Sequence, residues 1–231
     1  MNEQEFADMS FPAFLFPDEL LDDLLDQSYG AVKEVIQTGV PYLPPLLEGV
    51  ALNEHRHVVP FMLPVAIDDN RYALMRALGE GLVGRAGLVP LAVVFIAEGW
   101  MATETPENGD NPGEFIPPSQ RPDRKECITL FASTIDARSC SIFAETLRDE
   151  RGNMVIGAVM ENHRAGREQP ESRITESALV AEFWVGALNA LRATVVALLD
   201  HAPKPKKRPA TPPPMLGKVG KDGLPGSESV M

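Results

Sequence analysis

The stretch Leu91–Ala102, LAVVFIAEGWMA, constrains the fold of this chain more than any other. It is the strongest apolar run in the first half, and its β-branched and aromatic content reads as the central strand of a sheet. Two residues near its end, Glu98 and Trp100, do not suit a plain core. Tight hairpin signals follow it, and tight hairpins favour antiparallel pairing. The expected fold is therefore α+β, a curved antiparallel sheet of four to five strands with helices packed mainly on one face.

The flanking segments fill in that plan. Residues 1–17 mix Phe6, Phe11, Phe14 and Phe16 with acids and no base, and read as an acidic flexible arm. Residues 18–57 read as a helix and a proline-rich connection. The helix has Asp18 as N-cap, a stripe of Leu21, Leu24, Leu25, Val32 and Ile36, and a stop at Gly39 and Pro41. Gly30 leaves room for two shorter helices. Residues 58–200 read as the globular domain. Val58–Ile67 carries Pro60 and Pro64, which suits an edge strand or an extended segment.

A helix over Arg71–Ala86 ends at Gly87, and the glycines at 79, 81 and 84 suggest close packing against the sheet. After the central strand comes a long proline-rich loop, Thr103–Asp123. Strands are expected over Arg124–Ile135, Ser139–Leu147 and Met154–Glu161, the last two closed by Gly152-Asn153. The final helix, about Thr175–Asp200, is apolar on most sides, so it is buried centrally or covered by a second copy of the chain. Residues 201–231 read as a disordered tail rich in proline and lysine.

Charge narrows the partners. The net charge of −12 divides into −16 over residues 1–200 and +4 over residues 201–231. An acidic body argues against broad binding to a phosphate backbone. The run Lys204–Arg208 allows only weak nucleic-acid contact through the tail. Cys127 and Cys140 are too few for a disulfide framework and read as buried thiols of a cytoplasmic protein. The acidic start carries no secretory signal. Ser177–Leu199 is apolar, but Glu182 and Arg192 argue against a membrane span.

Strand parity supplies one candidate site. Ala92, Val94, Ile96, Glu98 and Trp100 point one way, and so do Arg124, Glu126, Ile128 and Leu130. Antiparallel pairing would gather Glu98, Trp100, Arg124 and Glu126 on one rim of the sheet, with Arg121 and Asp123 at the exit of the long loop above. The plainer reading is a Glu98–Arg124 cross-strand ion pair covered by Trp100. The functional reading is a loop-covered recognition pocket, in which desolvated carboxylates could also work as acid or base. Elsewhere, His55-x-His57 with Glu54 has the look of a metal half-site, although surface histidines explain it as well. No P-loop, GxGxxG, HExxH, GxSxG or CxxC occurs, and no cofactor is implied.

Glu98-x-Trp100 followed by Ser119-x-x-Pro122-Asp123-Arg124-x-Glu126 resembles a pattern in small uncharacterised prokaryotic and phage-encoded α+β proteins. The resemblance covers roughly residues 90–165. It implies a shared fold and carries no activity. A non-enzymatic binding protein using the rim is the first functional expectation. A carboxylate- or metal-dependent hydrolase or nuclease-like enzyme built on Glu98 and Glu126 is the alternative.

Overall fold

A computed structural model of the chain describes residues 16–66, 70–102, 118–165 and 175–201. The expectations for the acidic arm before Phe16, for most of the proline-rich loop and for the tail after His201 fall outside the described residues. The elements are α1 (Asp18–Gln37), β1 (Leu46–Leu52), β2 (Val58–Pro64), α2 (Arg71–Gly84), β3 (Val89–Met101), β4 (Lys125–Thr134), β5 (Ser139–Arg148), β6 (Met154–His163) and α3 (Thr175–His201). The six strands among the described residues form one antiparallel sheet in the order β2-β1-β3-β4-β5-β6.

The sixth strand is β1, inside the stretch read from sequence as a connection. Pro41, Pro44 and Pro45 precede it, so it starts where the prolines stop. Gly49 is what lets it fit. A Cβ there would come within 2.3 Å of the Ala92 carbonyl oxygen on β3. In a strand, glycine marks this kind of close backbone approach.

Helices pack on both faces of the sheet, which corrects the expected one-sided arrangement. Ala92, Val94 and Ile96 of β3 join Leu21, Leu25, Val32 and Ile36 of α1 in one core. Val93, Phe95 and Ala97, pointing the other way, join Met75, Leu82 and Val83 of α2 with Leu179, Phe183 and Trp184 of α3 in a second core. The physical reason is visible in β3 itself. A strand apolar at both parities has two faces to cover.

α1 runs unbroken through Gly30. Pro17, not Asp18, holds its N-cap position, and the Pro17 carbonyl accepts the amides of Leu20 and Leu21 at 3.1 and 3.2 Å. Asp18 sits in the first turn, where its negative charge suits the helix dipole, and pairs with Arg138 of the β4–β5 turn. At the other end Gly39, at φ +83°, turns the chain, and the Val40 carbonyl accepts the Met154 amide of β6 at 3.0 Å. The helix is thus tied to the sheet at both ends.

α2 and α3 approach to backbone contact. A Cβ on Gly79 would lie 2.1 Å from the Phe183 carbonyl oxygen, and one on Gly186 would lie 2.0 Å from that of Arg76. The close packing expected of Gly79 is therefore made, but against α3 instead of the sheet. Gly81 and Gly84 would meet nothing within 4 Å. Arg76 and Glu182 close the pair from outside, with Nε to Oε2 at 2.8 Å.

Both sheet edges are blunted. The Val65 amide to Pro45 carbonyl bond and the Asn53 amide to His57 carbonyl bond, each 3.0 Å, fix the hairpin register. Odd-numbered residues of β2 bond to β1, so the even-numbered ones present their backbone outward. Pro60 and Pro64 are among those, and each removes an outward donor. β6 is irregular instead, with register shifts opposite Phe143–Thr146.

Candidate functional site

β3 and β4 place four of the expected residues together. Trp100 pairs across the ladder with Glu126, and Glu98 with Ile128, so Glu98, Trp100, Arg124 and Glu126 share the α1 face of the sheet at one rim. The expected Glu98–Arg124 ion pair is absent among the described contacts. Arg124 lies over the Trp100 indole with Cζ 4.7 Å from the ring centroid, and it donates to the Ser119 carbonyl. The stacked guanidinium gains from the negative face of the indole.

The carboxylates are held by a residue that the sequence reading left out. Arg148, the last residue of β5, donates from Nε to Glu126 Oε2 at 3.1 Å and from Nη2 to Glu98 Oε2 at 3.4 Å. Its Nη1 donates to the Pro41 carbonyl, and the Leu43 amide donates to Glu98 Oε1. One guanidinium therefore joins two carboxylates and the chain segment leaving α1. Arg148 continues the parity of Cys140, Ile142 and Ala144, which line the α1 face. Extending the expected strand by one residue past Leu147 would have found it.

Arg121 and Asp123 form a unit beside the rim. The Arg121 side chain is buried, and it donates from Nε to Asp123 Oδ1 at 3.0 Å and from Nη2 to Oδ2 at 3.2 Å. The two-pronged geometry fixes the turn after the short 3-10 segment Pro118–Gln120, which packs against the end of β3. Because Ser119 also accepts from Arg124, this turn and the indole are linked. The cover expected from the long loop falls mostly on residues 103–117, outside the described residues.

The result is a rim with an exposed aromatic surface above a locked polar network. Trp100 is 42% exposed. Glu98 and Glu126 already share one cation, so a metal ion would have to displace Arg148 to reach both.

The other histidine and cysteine candidates are dispersed. His55 and His57 lie in the β1–β2 turn, not on a strand, with Arg56 at φ +61° between them and ring centroids 6.1 Å apart. Asn53 Oδ1 accepts both their amides, at 3.0 and 2.9 Å, which accounts for the turn. Among the described residues, no group of three or more His, Cys, Asp or Glu side chains is placed to hold a metal ion. Cys127 and Cys140 are buried free thiols. Within α3, Ala178–Ala197 is long and apolar enough to cross a membrane, yet Leu179, Val180, Phe183, Trp184 and Ala187 are packed in the second core.

No protein family, curated protein or solved structure matches the chain.

Proposed function

We infer that the protein is a non-enzymatic cytoplasmic binding protein, and that the rim around Trp100 and Arg124 receives its partner. The observation that carries this reading is the exposed indole with a guanidinium laid on it, next to a charged network that is already internally bonded. Tryptophan and arginine dominate the energetics of protein interfaces, where a rigid aromatic surface can be covered without ordering a long side chain. The Arg148 network supports the reading because it holds Glu98 and Glu126 in place and leaves the indole as the surface a partner can cover.

The test is site-specific photo-cross-linking in the source cell. A photoreactive residue replacing Trp100 should form one dominant adduct, absent when the same residue replaces Lys33 on the outer face of α1. Arg124→Ala should reduce the adduct while leaving the melting temperature within about 2 °C. Equal labelling at both positions would remove the rim from consideration.

A carboxylate- or metal-dependent hydrolase makes a different prediction. Mg²⁺, Mn²⁺ or Zn²⁺ would raise the melting temperature, and Glu98→Gln would abolish the rise. Binding through the basic tail would produce steeply salt-dependent affinity lost on truncation after Asp200.

A further inference from the structure

We propose that α3 pairs with α3 of a second copy of the chain, antiparallel about a twofold axis between Val185 and Leu188. The helix has two apolar sides. One is spent on the core, through Leu179, Val180, Phe183 and Ala187. The opposite side carries Ala178, Ala181, Val185, Leu188, Arg192 and Val195, all exposed. Their spacing alternates three and four, the seam period of paired helices. Val185, Leu188 and Val195 are 39–40% exposed, so the stripe is open at these positions.

Size and charge choose the occupant and its direction. In the antiparallel pair Val185 meets the partner's Leu188, small Ala178 meets the partner's Val195, and small Ala181 meets the partner's Arg192. Away from the Val185–Leu188 centre, large side chains then fall opposite small ones, which is how facing helices interdigitate. The partner's Arg192 also arrives beside Glu182, which Arg76 already orients at 2.8 Å. A parallel pair would set alanine against alanine and Arg192 against its own copy. A bilayer is the poorer occupant, because Glu182 and Arg192 would enter it and the side carrying Leu179, Val180, Phe183 and Ala187 would have to leave the core. Pairing through a sheet edge is opposed by Pro60 and Pro64 on β2 and by the irregular register of β6.

The contact is modest. A stripe of about 20 residues is roughly 30 Å long and about 10 Å wide, a small footprint beside the ~800 Å² per partner of a standard interface. The pair is therefore a reversible dimer that forms with rising concentration.

Sedimentation velocity on the full chain, from about 0.1 to about 100 μM, tests it. The expected result is a monomer–dimer equilibrium that Leu188→Glu weakens at least about tenfold, with Trp100→Ala unchanged so that the rim reading is tested separately. If circular dichroism shows Leu188→Glu unfolded, Ala181→Glu replaces it at another exposed seam position. A spin label at Ala178→Cys should lie about 25 Å from its copy along the axis in the antiparallel pair. Any of four results overturns the proposal. They are a monomer throughout, a dimer indifferent to the folded seam variants, adjacent labels at position 178, and a monomer that floats with phosphatidylcholine–phosphatidylglycerol vesicles.

Discussion

Gly79 and Gly186 face each other's helices at the same crossing, each filling the place where the other helix's backbone leaves no room for a side chain. Alanine at either position must push α2 and α3 apart or bend one of them. Gly186→Ala is expected to cost about 3 kcal/mol, which lowers the melting temperature by roughly 6–12 °C in a domain of this size. Gly81→Ala, where nothing lies within 4 Å of the added Cβ, should instead raise stability by about 0.5–1 kcal/mol. Thermal unfolding of the two variants beside the native chain checks both signs.

Arg148→Gln should destabilise more than an ordinary surface substitution. It leaves Glu98 and Glu126 adjacent without their shared cation, and it frees the Pro41 carbonyl. All three side chains are about one-third exposed, with relative values of 34%, 29% and 36%, so water screens part of the loss. The expected cost is about 1–2 kcal/mol, read as a lower urea midpoint with unchanged slope. The double variant Arg148→Gln with Glu126→Gln should recover part of it.

The β4–β5 turn gives the chain an acid-sensitive tie. Partial burial works to raise the Asp136 carboxyl, but the Thr134 hydroxyl and the Arg138 guanidinium outweigh it and hold the group below the ordinary carboxylate range. A carboxyl depressed in the folded state contributes stability above its unfolded pKa of about 4, and that contribution is lost as pH falls through the lower folded value. Arg138 also holds Asp18 and the Phe16 carbonyl at the start of α1. Urea midpoints between pH 7 and pH 3 should therefore fall less steeply in Asp136→Asn than in the native chain.

Neither thiol should react in the folded protein. Cys140 is fully buried against α1, with its Sγ 3.8 Å from the Leu21 carbonyl oxygen. Burial and the nearby Asp22 carboxylate push its pKa far up, so the reactive thiolate is suppressed. Cys127 is buried on the other side of the sheet. Alkylation followed by mass spectrometry should show both free in native buffer, with labelling only at the rate of global unfolding.

Much of this architecture is legible from residue order, and the failures have physical causes. The run Val89–Met101, the β4–β5–β6 meander and the three helices all announce themselves by periodicity and by turn glycines such as Gly152 at φ +81°. β1 does not, because prolines precede it and Gly49 interrupts it, and both features also describe a loop. The second covered face was written in β3, where Val93 and Phe95 are as apolar as Val94 and Ile96, yet a run without alternation does not say which helix takes which side. At the rim, the two-residue period was enough to align Glu98 with Trp100 and Arg124 with Glu126. It reaches Arg148 only if the strand is run one residue past Leu147, and it could not supply the Leu43 amide, which tertiary folding brings there from the segment after α1.

The position of β1 between β2 and β3 also sets a delay during synthesis. β1 emerges in a hairpin with β2, and the strand that pairs with its other edge ends roughly 50 residues later, at Met101. At about 5–20 residues per second, the nascent chain leaves that edge of β1 unpaired for roughly 3–10 s before β3 can bond to it. A chaperone that shields unpaired strand edges would have its opportunity on this hairpin, and the prolines along β2 keep the opposite edge from pairing with neighbouring nascent chains on a polysome in the meantime.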